Sequence, residues 1–158
     1  MLDTLLIVLQ AFHVLFLWLH DWLPLGRLND ISAIARADSL SRRIRITLIQ
    51  SVPYTVGLIY TIRSMGRPFP HWLYLYLWIS YGLLFLGELR AWWIPYLFRA
   101  EPERAARYQV LFGRTHSFLP VRNGIAPNTL HVILHFCTAA TLLTLTAFAA
   151  LSAISLQM

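Results

Sequence analysis

Long apolar stretches alternate with shorter polar connections along this chain of 158 residues. The four stretches are residues 4–23, 44–62, 72–93 and 129–156. Each is close to the roughly 20 residues with which an α-helix crosses a hydrocarbon core about 30 Å thick. Pro95 is predicted to close the third stretch, because proline rarely continues a helix. The pattern predicts an all-α integral membrane protein in which residues 1–158 form a single transmembrane domain, a four-helix bundle.

The connection between the third and fourth stretches is the longest, and residues 100–127 are predicted to lie on the cytoplasmic surface of the membrane. A proline between two glutamates, at residues 101–103, is typical of a helix start. It predicts a short helix over residues 103–112 that ends at Gly113. The pair Asn123-Gly124 predicts a turn further along.

The distribution of arginines predicts the orientation in the membrane. Five arginines lie in the connection between the first and second stretches and six in that between the third and fourth, whereas the remaining connection holds two. Arginine-rich connections favour the cytoplasmic side of a membrane. We therefore expect both termini on the non-cytoplasmic side of a multi-pass protein, located in a bacterial inner membrane or plasma membrane.

Composition supports a membrane protein and argues against a nucleic-acid-binding one. The chain is 58% hydrophobic and only 13% charged, whereas a soluble domain contains about a quarter charged residues. The net charge of +6 could suit nucleic acid, but all 13 cationic residues are arginines in or beside the connections. We expect these arginines to contact anionic headgroups of the lipid bilayer, and we expect no nucleic acid partner.

Each apolar stretch carries polar residues three or four positions apart, so they lie near one face of its helix. The stripes are, in chain order, Gln10, His13, His20 and Asp21; Arg43, Thr47, Gln50 and Tyr54; Tyr81, Phe85, Glu88 and Trp92; and Asn128, His131, His135 and Thr138. An ionisable side chain within a membrane is costly and usually faces the bundle interior at a functional site. Since most ionisable members lie near one end, the stripes predict a polar pocket that opens to the cytoplasm.

His131 and His135 form the sharpest chemical pattern in the chain. Two histidines four residues apart point the same way on a helix and can share a metal ion. Glu88 and His20 lie at a compatible depth, so these four residues are a candidate site for zinc or non-haem iron. The alternative is that the histidines form hydrogen bonds between helices or line a wet vestibule.

His20, Asp21 and Glu88 are the candidate catalytic residues. A histidine oriented by a carboxylate can act as a general base, but adjacent residues on a helix point apart, so His20 and Asp21 are not expected to pair with each other. The alternative for Asp21 is an ion pair with a nearby arginine. Glu88 is predicted to be a metal ligand or proton carrier, or else to pair with Arg43 or Arg45 and only stabilise the helices.

Arg43, Arg45, Arg90 and Asn128 are the candidates for binding a cofactor or ligand. Arginine binds phosphate and carboxylate groups through two parallel hydrogen bonds, and these arginines lie near the cytoplasmic boundary. Asn128 follows a proline and is most simply the N-cap of the fourth helix.

The sequence thus predicts a small polytopic membrane protein whose histidine-containing pocket binds a metal ion or a lipidic or anionic ligand with a polar head. It leaves open whether the pocket is catalytic. The alternative is a non-enzymatic protein, either a small transporter or an accessory subunit that packs against a membrane partner or a second copy of itself. Its aromatic and small-residue faces would serve either class.

Overall fold

The computed structural model describes residues 2–155, with side chains for residues 2–150, and this part of the chain is helical and contains no β-strand. The helices are α1 (Leu2–Leu19), α2 (Ile31–Ala37), α3 (Leu40–Arg63), α4 (His71–Glu88), α5 (Ile94–Leu97), α6 (Pro102–Phe112) and α7 (Thr129–Ser155). A π-helical turn over Leu89–Trp93 joins α4 directly to α5. The prediction of an all-α protein is confirmed for these residues. Residue 156, the end of the predicted fourth stretch, lies outside them.

Within the described residues, three helical segments are long and apolar enough to cross a membrane. They are Leu2–Leu19, His71–Leu97 and Thr129–Ala150. These segments coincide with the predicted first, third and fourth stretches and are consistent with a multi-pass membrane protein. The predicted second stretch lies within α3, which is less apolar because it begins with an arginine-rich turn and carries polar side chains along its length.

Hydrogen bonds between side chains join α3 to α1 and to the turn that follows α1. Each of them uses a threonine hydroxyl of α3. The pairs are Gln10 Nε2 to Thr61 Oγ1 at 3.0 Å, Trp18 Nε1 to Thr55 Oγ1 at 2.9 Å and Trp22 Nε1 to Thr47 Oγ1 at 2.9 Å. Since the numbers rise along α1 and fall along α3, the two helices are antiparallel.

Helix α4 lies against α3 on one side and against α7 on the other, and α1 also contacts α7. Helices α3 and α4 lie close together at Gly57, where a Cβ atom would lie 2.9 Å from Cδ2 of Leu77. Nearby, the hydroxyl of Tyr76 donates to the carbonyl of Pro53 at 2.8 Å. Pro53 lies inside α3 without ending it.

The π-helical turn is the main departure from the predicted third helix, which does not end at Pro95 but continues past it. Proline has no N–H group to donate to the preceding turn. The turn before it is wider, and the N–H of Ile94 donates to the carbonyl of Leu89, five residues earlier. Arg104 Nη1 donates to the carbonyl of Arg90 at 3.3 Å, an oxygen to which Pro95 cannot donate.

The connection between α5 and α7 folds largely as predicted. Helix α6 ends at Gly113, and Asn123 and Gly124 form a tight turn with φ values of 53° and 74°. Asn123 also ties this turn to the end of α5. Its Nδ2 atom donates to the carbonyls of Pro95, Tyr96 and Phe98 over distances of 3.2, 3.1 and 3.0 Å.

The two arginine-rich connections lie together at one end of the helices, where α2 contacts α6. Asp38, which follows α2, forms ion pairs with Arg107 of α6 and with Arg42, each at 3.2 Å. The hydroxyl of Tyr108 on α6 donates to the carbonyl of Ala126. Burial raises the pKa of Tyr108 above its usual value, so this hydroxyl stays protonated and remains a donor.

Candidate functional site

A cavity of about 530 Å³ lies where α1 ends, α7 begins and the π-helical turn follows α4. Most of its wall is apolar. Its polar and ionisable lining residues are His20, Gln50, Tyr54, Glu88, His131 and His135, with the indole of Trp92 beside them. The structure therefore brings all four predicted metal ligands to one cavity, and His20, Glu88 and His135 are buried there.

His131 is held in place by Asn128, the residue directly before α7. Asn128 Oδ1 accepts the backbone N–H of His131 at 2.9 Å, which confirms the predicted N-cap. The same oxygen lies 2.6 Å from Nδ1 of the His131 ring. The ring also stacks near Trp92, with centroids 4.5 Å apart. Its Nε2 atom has no hydrogen-bond partner among the described residues.

His135 is held by a hydrogen bond from Trp93, which lies in the π-helical turn. The indole Nε1 of Trp93 donates to Nδ1 of His135 at 3.1 Å. The other ring nitrogen, Nε2, is buried and has no hydrogen-bond partner within the described part of the chain. One turn apart on α7, the rings of His131 and His135 have centroids separated by 6.4 Å.

Glu88 is linked to a histidine deeper between the helices through a single hydroxyl group. Oγ1 of Thr138 lies 2.7 Å from Oε1 of Glu88 and 3.0 Å from Nε2 of His13. It also lies 3.1 Å from the carbonyl of Leu134. Nδ1 of His13 donates to the carbonyl of Leu9 at 2.7 Å. Glu88 Oε2 is buried and unpaired among the described residues.

When its one hydrogen is not directed at the carbonyl of Leu134, the hydroxyl of Thr138 leaves two arrangements open to this chain of hydrogen bonds. If it donates to Glu88, then Nε2 of His13 must donate to Thr138, which gives an imidazolium and a carboxylate. If it donates to His13, then Glu88 must donate to Thr138, and both end groups are neutral. The two arrangements hold the same number of protons, so a proton can pass between the ends without a change in net charge.

His20 and Asp21 do pair with each other, contrary to the sequence-based expectation. Nε2 of His20 lies 3.2 Å from Oδ1 of Asp21. The expectation assumed that both residues are helical, but α1 ends at Leu19 and the chain turns there. Nδ1 of His20 donates to the carbonyl of Phe16 at 2.9 Å. The centroids of the His20 and His131 rings are 5.7 Å apart.

The predicted ion pair between Glu88 and an arginine is wrong: within the described residues Glu88 pairs with the hydroxyl of Thr138 and with no cation. Arg43 instead donates to the carbonyl of Asp21 at 2.6 Å and stacks on Trp22. Arg45 and Arg90 are exposed. Of the four candidate ligand-binding residues, only Asn128 reaches the site, through the ring of His131.

The described residues contain no group of three or more His, Cys, Asp or Glu side chains arranged to hold a metal ion. The bond from Trp93 adds a chemical obstacle at His135. Metal-ligating histidines normally donate their other N–H to an acceptor, whereas here Nδ1 of His135 accepts. Metal binding at this cavity stays a prediction.

An apolar groove of about 250 Å³ lies beside the cavity and shares His135 with it. The other lining residues are Phe85, Leu89, Trp93, Leu97, Phe136 and Ala139. Phe136 is 69% exposed, so the groove faces outward from the helices. His135 thus lies between the cavity that holds the other polar side chains and an apolar outer surface.

Trp93 is a site residue that sequence reasoning missed. A regular helix would place only Trp92 on the stripe of Glu88, four residues away. The π-helical turn brings the fifth residue, Trp93, onto the same side as well. The available signal was that the sequence stays apolar past Pro95, through Phe98, since a proline within a continuing helix causes a local change in it.

No family model matches the chain, and no match is found among curated proteins or solved structures. Function is therefore inferred from the geometry of the cavity and the surfaces around it.

Proposed function

We propose that α3 is a fourth membrane span and that the protein is a four-helix bundle with both termini on the non-cytoplasmic side. The 24 residues of α3 exceed the roughly 20 needed to cross a hydrocarbon core. It lies between α1 and α4, and apolar side chains cover its outer face. They are Leu48, Ile49, Val52, Val56 and Ile59. The arginine count supports placing the cavity end at the cytoplasm.

Within this bundle, the cavity binds the polar head of a lipidic ligand. One observation carries the proposal: Glu88 and His135 line the cavity, and Glu88 Oε2 and His135 Nε2 are buried without a hydrogen-bond partner in the described part of the chain. A buried polar group left unpaired costs about 1–3 kcal/mol. A ligand that pairs with either atom removes part of this cost, and binding stabilises the protein.

The apolar groove supports a lipidic ligand over a small polar one. It shares His135 with the cavity, and we propose that a head in the cavity continues past this residue into a hydrocarbon tail in the groove. Binding sites of this kind are mostly apolar, with a few polar groups that fix the orientation of the ligand. The outward face of the groove gives a tail direct entry from the membrane.

The same residues would serve a reaction at the headgroup. His131 presents an unpaired ring nitrogen, and the chain of Glu88, Thr138 and His13 can supply or take up a proton. His20, with Asp21 beside it, stands next to His131. These are the groups that general acid–base catalysis uses.

Mass spectrometry of the protein purified in a mild detergent tests the proposal. We expect about one lipidic molecule to be retained per protein, and its retention to fall in Glu88→Leu and His135→Phe. Matched changes outside the cavity, Glu101→Gln and His71→Phe, should leave retention unchanged, since both side chains are exposed. Equal retention in all four variants would contradict the proposal.

Metal analysis of the same sample addresses the rival occupant, zinc or iron. A stoichiometric metal that is lost in both His131→Ala and His135→Ala would overturn the lipidic proposal in favour of a metal site, because losing one ligand usually cripples such a site.

A further inference from the structure

The hydrogen-bond partners of His135 fix which of its ring nitrogens carries the hydrogen. The indole N–H of tryptophan can only donate, and Trp93 Nε1 lies 3.1 Å from Nδ1 of His135. Nδ1 must therefore offer its lone pair. The hydrogen of the imidazole is then on Nε2, the buried atom that has no partner among the described residues, and His135 is one of the residues that line the cavity. His135 presents a donor.

The partners of His131 fix the opposite arrangement in its neutral ring. Oδ1 of Asn128 accepts the backbone N–H of His131 at 2.9 Å, and Nδ2 of Asn128 lies 3.4 Å from the carbonyl of Leu28. These contacts set the orientation of the amide, so the atom 2.6 Å from Nδ1 of His131 is an acceptor. Nδ1 then carries the hydrogen, and Nε2 keeps its lone pair. His131 presents an acceptor.

The cavity therefore offers a donor and an acceptor from neighbouring turns of one helix. The rings are 6.4 Å apart, centroid to centroid, a separation that one small polar group can bridge. Glu88 also lines the cavity, and its Oε2 atom is buried and unpaired among the residues that the structure describes. A group that both donates and accepts matches the two histidines at once.

We infer that the head of the lipidic ligand is a hydroxyl group, bound between His131 and His135 whose opposite tautomers are set by Asn128 and Trp93. This inference rests on the proposed function. A hydroxyl donates one hydrogen, to Nε2 of His131, and accepts another, from Nε2 of His135. Trp93 and Asn128 are positioning residues, since each acts through a histidine.

Other head chemistries fit the pair less well. A phosphate or carboxylate would bring its oxygens against the lone pair of His131 and the carboxyl group of Glu88. A quaternary ammonium has neither a hydrogen for His131 nor a lone pair for His135. A metal ion needs a lone pair from each histidine, and Nε2 of His135 carries a hydrogen instead.

Nitrogen NMR of the histidine rings tests the tautomers directly, in the full-length protein in phosphatidylcholine nanodiscs. The signals are assigned by their loss in His131→Gln and His135→Gln. We expect hydrogen on Nδ1 of His131 and on Nε2 of His135. Hydrogen on Nε2 of His131, on both of its nitrogens, or on Nδ1 of His135 would overturn the inference.

A ligand series with one common tail tests the head chemistry. The probes are 1-dodecanol, dodecyl methyl ether and dodecanoate, with empty nanodiscs as the background. The ether accepts but cannot donate to His131, so we expect the alcohol to bind roughly three- to tenfold more tightly than the ether, the effect of one neutral hydrogen bond. We expect dodecanoate to bind more weakly than the alcohol.

Variants at Asn128 and Trp93 distinguish a role in orienting the histidine rings from a role in folding. Asn128→Ser keeps a helix cap but is too short to hold the ring of His131, whereas Asn128→Asp keeps both contacts. We expect the preference for the alcohol over the ether to disappear in Asn128→Ser and in Trp93→Phe and to persist in Asn128→Asp. Trp72→Phe, at an exposed position far from the cavity, should bind as the wild type does.

The outcomes distinguish the inference from the proposed function. Equal binding of alcohol and ether, above the background, would overturn the hydroxyl head and leave a lipid-binding cavity. Absence of saturable binding by all three probes would overturn both. Tight binding of dodecanoate alone would point to an anionic head and overturn the inference.

Discussion

Thr138 satisfies two buried ionisable side chains with one hydroxyl group, so its loss should be costly. Thr138→Val keeps the shape of the side chain but leaves Oε1 of Glu88 and Nε2 of His13 without this partner. We expect the free energy of unfolding to fall by about 1–3 kcal/mol, because buried polar groups left unpaired carry that cost. Unfolding in mixed micelles with a denaturant measures the change.

Thr146→Val is the matched control on the same helix. Its hydroxyl donates only to the carbonyl of Leu142 among the described residues, and the side chain is exposed. We expect a change below about 0.5 kcal/mol, as for most surface substitutions. Equal effects of the two substitutions would mean that the link through Thr138 does not stabilise the protein.

Asn123 has two separable roles, a left-handed backbone and a side chain that reaches the end of α5. Asn123→Gly keeps the first and removes the second, whereas Asn123→Ala removes both. We expect stability to fall in the order wild type, glycine variant, alanine variant, with roughly 1 kcal/mol between the last two from the cost of a positive φ. Thermal unfolding measures the order, and a glycine variant as stable as wild type would show that the side-chain bonds contribute nothing.

At the scale of helices, the close approach of α3 to α4 depends on the absence of a side chain at Gly57. Gly57→Ala would place a Cβ atom 2.9 Å from the buried Leu77, and overpacking of this kind costs about 1–3 kcal/mol. At Gly82 of α4, no described atom lies within 4 Å of the added Cβ. Gly82→Ala should therefore be neutral or stabilising by up to about 1 kcal/mol.

Both substitutions replace a glycine inside a helix, so the gain in helix propensity is common to them. Their difference in unfolding free energy isolates the packing of α3 on α4. Similar unfolding free energies would contradict the close contact.

The helices follow from the sequence because apolar length and the spacing of polar residues are local properties. The N-cap at Asn128, the end of α6 at Gly113 and the turn at Asn123 follow from the preferences of single residues in the same way. The gathering of His20, Glu88, His131 and His135 around one cavity fits the predicted stripes, since antiparallel helices bring equal depths together.

The partner of each polar side chain is less predictable, because it depends on differences of a few ångströms. Glu88 pairs with a hydroxyl rather than an arginine because α7 brings Thr138 to its side. The side chains of His20 and Asp21 pair because α1 ends at Leu19, so neither residue is in the helix. A shift of one residue in a helix end, or one wider turn, decides such contacts, and neither follows from hydrophobic spacing alone.

For the whole molecule, the proposed orientation makes a prediction about access from outside the cell. In a Cys137→Ala background, single cysteines are placed at exposed positions: Ser41→Cys and Val121→Cys in the arginine-rich connections, and Met65→Cys in the other. With a maleimide that cannot cross membranes, we expect labelling of position 65 in intact cells and of positions 41 and 121 only after permeabilisation.

The reverse labelling pattern would show that the protein has the opposite orientation in the membrane, with the cavity on the side away from the cytoplasm. Labelling of positions 41 and 65 from the same side would show that α3 does not cross the membrane, since these positions lie near its two ends.

The wider turn at Leu89–Trp93 accommodates one residue more than a regular α-helical turn, and this extra residue decides which side chains face the cavity. An α-helical residue advances the chain by about 100° around the helix axis. Removal of one residue from this segment, such as Ala91, would let a regular α-helix form in which Trp93 is the fourth residue after Glu88, so Trp93 would stay on the side of His135. A regular helix of unchanged length would instead rotate Trp93 by about 100° away from His135. The bond from Trp93 to His135 is therefore expected to survive this single deletion and to be lost if the turn becomes regular at its present length.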